Sequence, residues 1–141
     1  MSSSTVFEKL EHDIEKHGWH VLSVLRKESP SFSYTIGFQE TLKHPEILMS
    51  GLRTELMHKL LNNIGNLIKK GYTFNDGDTC NEVIKGYPVK FLSVSSHQVE
   101  EYFRAAVVHY GKDNFQALQC IWPDKDGNFQ LETDVNQDIL A

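Results

Sequence analysis

The chain has few of the residues that mark stapled, fibrous or membrane proteins. It holds two cysteines and four prolines among 141 residues, and no apolar run approaches the ~20 residues that a membrane-spanning helix requires. Cys80 and Cys120 lie far apart, with no CxxC or Cys/His ligand spacing around them, so both are expected to be reduced residues that pack. Basic residues are also short: 14 Lys and Arg stand against 19 Asp and Glu, for a formal charge of −5. They are scattered, with no run longer than the pairs Arg26-Lys27 and Lys69-Lys70, which argues against a nucleic-acid partner. The opening MSSSTVFEKLEHDIEKHGW has no basic head and no continuous apolar stretch. It is therefore read as neither signal peptide nor membrane anchor, and a cytoplasmic location is expected. There is no GxSxG elbow, no GxGxxG fingerprint and no GxxxxGK[ST] loop, so the common serine-hydrolase, dinucleotide and NTP-loop readings have no support.

The remaining composition, 40% hydrophobic, 11% aromatic and 23% charged, is that of a globular domain. At this length one core is the default, and burial of roughly 68% of the unfolded surface needs no staple. Ser2 to Ser4 read as a frayed end, residues 5–133 as one domain and 134–141 as a tail. Phe7, Leu10 and Ile14 recur at helical spacing before the stop at Gly18. Trp19–Leu25 and Phe32–Phe38 flank the turn KESPS as a β-hairpin, and Glu46–Ser50 is a third strand. Leu56, Leu60, Ile64, Leu67 and Ile68 define a helix over 54–70. After a turn at 74–78, Gly86-Tyr87-Pro88 opens a strand over Val89–Val94. A helix then begins at Ser95 and Gln98, a capping-box pair, and ends at Gly111. Phe115–Trp122 and Asn128–Glu132 flank PDKDG as a closing hairpin. The order implies an α+β domain with a mixed, mostly antiparallel sheet of about five to six strands and about three helices, covering one sheet face.

Two segments are dense in chemically capable side chains. Phe32 to Glu46 brings Tyr34, Thr35, Gln39, Glu40, His44 and Glu46 toward one strand end, with Gly37 allowing close backbone approach. His44 ahead of Pro45, with Glu46 two residues on, is the spacing of a base and its orienter, and also that of a capped turn. The second segment carries Gln116, Gln119, Trp122 and Asp124, with His109 and Tyr110 at the end of the preceding helix: two amides, an indole and a carboxylate suited to a small polar ligand, or equally to a sheet edge and a turn. Seven histidines (His12, His17, His20, His44, His58, His97, His109) make no HExxH or other ligand pattern, so no metal or cofactor is expected.

The pieces Gly18-Trp19, Phe32-Ser33-Tyr34-Thr35-Ile36-Gly37, His44-Pro45-Glu46, Gly51-Leu52, Gly86-Tyr87-Pro88-Val89, Tyr110-Gly111 and Gln119-Cys120-Ile121-Trp122-Pro123-Asp124 with Gly127 follow one another over about residues 17 to 132. Their order resembles a bacterial family described as domain of unknown function 4262. The resemblance implies a small domain that stands alone, without an established activity. The family's Gln-Pro-Leu-Leu-like ending is represented here only by Asn136-Gln137-Asp138-Ile139-Leu140.

Three functions fit these features. The first is binding of a polar small molecule, a nucleotide or an ADP-ribose-like metabolite, in a cleft lined by both segments, with a role in signalling or in conflict between phage and bacterium. The second is a small hydrolase or transferase using His44 as general base and Glu46 or Asp124 as orienter. The third is an acidic protein-interaction domain of the immunity type. Homo-oligomer formation is left open.

Overall fold

The computed structural model describes residues 2–124, 126–129, 137 and 139–140, with side chains from residue 7 onward. Its elements are α1 (Ser2–His17), β1 (His20–Val24), β2 (Phe32–Ile36), a π-turn (Phe38–Leu42), β3 (Glu46–Ser50), α2 (Thr54–Lys69), β4 (Thr79–Ile84), β5 (Tyr87–Ser93), α3 (Ser96–Tyr102), α4 (Arg104–Tyr110) and β6 (Ala117–Ile121). The strands form one six-stranded sheet in the order β1-β2-β3-β6-β5-β4. Only β3 and β6 pair parallel, Glu46 opposite Ala117 and Leu48 opposite Gln119; the other pairings are antiparallel. The α+β class and the mixed sheet expected from the sequence are those found.

Both sheet faces are covered, in place of the single covered face expected. The cause lies in the centre of the sheet, where every residue of β2, β3 and β6 is buried. A strand buried on both sides needs cover on both sides. On one face Ile47, Met49, Phe91, Leu118 and Cys120 pack under Met57, Leu61 and Ile64 of α2. On the other, Phe32, Tyr34, Ile36 and Leu48 pack with Leu10 of α1 and with Val99, Phe103 and Ala106 of the α3–α4 region.

Four further differences from the sequence reading have local causes. The helix starts at Ser2, ahead of Thr5. The helix expected over 95–111 is two pieces broken at Phe103, where φ −100° and ψ 40° leave the helical range. Phe103 is fully buried at the break, and the Tyr34 hydroxyl accepts the Ala105 N–H at 3.0 Å, pairing one amide just beyond it. Strand β4 falls where the sequence reading passes from the 74–78 turn straight to Gly86, because a register shift between Cys80 and Ile84 breaks its alternation. Finally, β6 is paired with β3 on one side and with β5 on the other. Asn128 and Phe129 are not in a strand, and residues 130–132 lie outside those described.

The described part of the tail is docked. Leu140 is buried in the Leu10–Phe103 cluster, its N–H reaches Gln119 Oε1 at 2.8 Å, and its carbonyl accepts the Ser95 N–H. Leu140→Ala is expected to lower unfolding free energy by about 2 kcal/mol through lost burial and a residual cavity. A urea titration with unchanged slope and a lowered midpoint checks it.

Candidate functional site

Glu46 opens β3 with a carboxylate that is completely buried. Its Oε1 accepts the Thr35 hydroxyl at 2.7 Å and the Phe38 N–H at 3.1 Å. Its Oε2 accepts the Gly37 N–H at 3.0 Å, the Gln39 N–H at 3.1 Å and the Tyr110 hydroxyl at 2.7 Å. Three consecutive backbone amides and two hydroxyls thus converge on one side chain, holding the exit of β2 and the start of the π-turn. Burial pushes the Glu46 carboxyl pKa up, and the donors from Tyr110, Thr35, Gln39 and Gly37 pull against that rise. Tyr110 is itself pushed well above the usual phenol range by burial and by the Glu46 charge.

His44, the other half of the His-Pro-Glu triplet, is 2% exposed. Its Nδ1 lies 2.9 Å from the Pro45 carbonyl and its Nε2 accepts the Phe74 N–H at 3.0 Å. That fixes the neutral Nδ1–H tautomer and leaves no ring lone pair to take a proton from a substrate. Burial holds its pKa below the ordinary imidazole value, against the opposing Pro45 bond. An unfolded chain binds a proton on this residue below about pH 6.5, whereas the folded chain resists doing so. The stability present above that pH should therefore fall as the medium is acidified toward the lower folded-state pKa. Unfolding midpoints at pH 7.5 and 5.5 should separate in the parent chain and lie closer together in His44→Gln.

The remaining candidates from the sequence are also engaged. The Tyr34 hydroxyl is committed to Ala105, and burial raises its pKa to about 12. Gln39 is half-buried, and its amide N–H belongs to the Glu46 cluster. Gln119 holds Leu140. The Trp122 indole N–H donates to the Ser50 carbonyl at 2.7 Å, and Asp124 Oδ1 accepts the Asp126 and Asn128 amides across a turn. Trp122 and Asp124 border an apolar groove of about 230 Å³ with Leu52, Leu56, Leu60, Ile84, Tyr87 and Pro123, a lining that includes none of Tyr34, Thr35, His44 and Glu46.

A larger and more polar opening runs along β1, one of the two edge strands of the sheet, between α1 and α2. It encloses about 670 Å³. One wall is Lys9, Asp13, Lys16 and His17, which share a face of α1, and the other is His58, Asn62, Asn66 and Lys69, which share a face of α2. Trp19, His20 and Val21 make the floor. Gly65 lets the Trp19 indole reach α2, since a Cβ there would lie 2.5 Å from Trp19 Cζ2. The indole N–H donates to Asn62 Oδ1 at 2.9 Å, and Lys69 Nζ sits 5.1 Å above the ring. Asn62 Nδ2 and Lys16 Nζ have no protein partner among the described residues. Three ammonium groups against one carboxylate make this groove locally positive on a chain of charge −5. Among the described residues no group of three His, Cys, Asp or Glu could hold a metal ion.

The sequence reading passes over this groove because its residues are ordinary solvent-face types on two helices far apart in the chain. The signal available was periodic: Lys9, Asp13 and Lys16 recur at helical intervals, as do His58, Asn62, Asn66 and Lys69. Nothing in the sequence says that the two faces flank the same strand.

Among the described residues no helix is long and apolar enough to cross a membrane. No curated protein and no solved structure matches the chain. A family model does, over residues 13–136, a span that holds the Glu46 cluster, His44 and all of the β1-edge groove except Lys9. The chain belongs to the family described as domain of unknown function DUF4262.

Proposed function

We propose that the domain binds a small anionic metabolite, carrying phosphate or carboxylate groups, in the groove along β1. The carrying observation is the set of ammonium groups and asparagine amides gathered round Trp19 on an otherwise acidic chain. A locally positive cleft on such a surface concentrates an anion that the overall charge repels. Lys16 and Lys69 supply charge-assisted hydrogen bonds and Asn62 a neutral donor. Nucleotides and ADP-ribose-like molecules fall within this class, read through their phosphates.

Trp19 fluorescence in a Trp122→Phe background, titrated with ADP-ribose, ATP, citrate and inorganic phosphate, tests the reading. Saturable binding that weakens with salt is expected, and the double variant Lys16→Glu, Lys69→Glu should weaken it at least ~10-fold, about 1.4 kcal/mol. Both lysines are exposed, and the Lys69 contact with the Trp19 ring is worth about 0.5–1 kcal/mol, so the urea midpoint should fall only slightly. Equal affinity in parent and double variant, or no saturable ligand in the panel, would sink the proposal.

A further inference from the structure

We infer that Asp13 and His20 form a proton-transfer pair in this groove, and that the groove hydrolyses carboxylic esters carrying an anionic group. The inference rests on the anion-binding reading above. His20 Nδ1 lies 2.6 Å from Asp13 Oδ2. An ionised carboxylate only accepts, so Nδ1 carries the proton and Nε2 keeps its lone pair. Nε2 has no protein partner among the described residues, and it is not a buried atom lacking one. In His44, by contrast, both ring nitrogens are consumed. His20 is the first residue of β1, paired with Ile36, so a rigid strand positions the ring.

The charged and titratable groups lining the same groove are Lys9, Asp13, Lys16 and His17 on α1, and His58 and Lys69 on α2. Burial pushes the Asp13 carboxyl up, but the hydrogen bond and charge of His20, with Lys9 and His17, bring it below its ordinary value. The carboxylate thus stays charged beside the His20 ring and can only accept from it.

One imidazole suffices for the reaction. A water oxygen bonds to the ester carbonyl carbon while Nε2 takes the water proton, and the carbonyl π pair moves onto oxygen. Asp13 stabilises the imidazolium so formed, and the groove ammonium groups offset the charge on the oxyanion and hold the substrate's anionic group. On collapse the carbon–alkoxy bond breaks with its pair on the leaving oxygen, which takes the proton from Nε2. Ester and water give acid and alcohol, and His20 is returned neutral.

The test uses 4-nitrophenyl hemisuccinate as substrate, neutral 4-nitrophenyl acetate for comparison and succinate binding by calorimetry. The parent chain should hydrolyse the hemisuccinate saturably and prefer it to the acetate. His20→Gln should lose at least ~100-fold in kcat, the low end for general-base catalysis. Its succinate affinity should stay within about threefold, and its urea midpoint should confirm folding. Asp13→Asn should lower kcat and displace the pH–kcat profile. Succinate binding without turnover, or turnover unchanged in His20→Gln, overturns the catalytic inference and leaves the binding reading standing. Turnover that depends on His20 but is indifferent to the substrate's charge and to Lys16→Glu, Lys69→Glu overturns the anion reading and, with it, the proposed substrate class.

Discussion

Glu46→Gln is expected to destabilise the domain by about 3 kcal/mol, although the side chain keeps its size and most of its shape. The reason is the sign of its partners. All five groups around the carboxylate donate to it: the Thr35 and Tyr110 hydroxyls and the Gly37, Phe38 and Gln39 amides. A glutamine must place its NH₂ where one of the two oxygens was. On the Oε1 side it meets the Phe38 N–H, and on the Oε2 side the Gly37 and Gln39 N–H groups. Hydroxyls can rotate and accept, but amides cannot, so either the buried Phe38 N–H or the half-buried Gln39 N–H loses its partner and faces another donor, whereas the Gly37 N–H keeps the Tyr110 hydroxyl. Leaving such a group unsatisfied costs about 1–3 kcal/mol, and hydrogen bonds to a charged acceptor are worth about 1.5–3 kcal/mol each. Glu46→Ala removes the acceptor from all five donors, of which the Gly37 N–H keeps a second one in the Tyr110 hydroxyl at 2.8 Å, and should approach the ~3–5 kcal/mol seen when one side of a buried charged cluster is removed. Urea unfolding monitored by circular dichroism measures both. A midpoint for Glu46→Gln within error of the parent would mean the cluster is not the anchor described here.

Gly37→Ala should be about as damaging, near 4 kcal/mol, through a different cause. Gly37 has φ +126° and ψ −22°, outside the regions open to L-residues. A Cβ there would stand 2.6 Å from the Gly18 carbonyl oxygen and 2.7 Å from Trp19 Cα. Those are backbone atoms at the junction of α1 and β1, so no side chain can swing aside, and dihedral strain adds to overpacking. Gly86→Ala is the control. Gly86 also has positive φ, but its Cβ would meet nothing within 4 Å, so only the dihedral cost, about 1 kcal/mol, is expected. Equal losses at the two positions would remove the steric argument.

These two residues show how far the sequence could be read. Gly37, His44 and Glu46 stand out from sequence alone, as does the strand on either side, because glycine, His-Pro and an acid at a strand start are unusual in an apolar stretch. Their role is not legible there. The same carboxylate serves as a general acid when one oxygen faces a cavity and as a turn anchor when five donors surround it, and the donors come from 35 to 39 and from 110. Likewise, Gln119 reads as a ligand-binding amide until the tail is seen to end on it. The hydrophobic periods located α2 and most strands, whereas β4 was hidden by its irregular register and the Phe103 break by the continuous apolar face across it. The β1-edge groove escaped because spatial convergence of two helix faces leaves no trace in spacing along the chain.

The parallel pairing of β3 with β6 has a consequence for how the chain reaches this state. Strands β1, β2 and β3 are joined by antiparallel pairings between neighbours in the chain, as are β4 and β5, whereas β3 pairs with β6 across some seventy intervening positions. Closing so long a loop pays its entropy before any contact repays it, so this central seam is the natural late step of folding and the slow one. Glu46 is the first residue of the seam, its N–H bonded to the Gln116 carbonyl, and its carboxylate reaches both the β2 exit and Tyr110 of the segment that delivers β6. Until that segment arrives, one of the anion's donors is missing, so the late closure that joins the two halves of the sheet also completes the cradle of its buried charge.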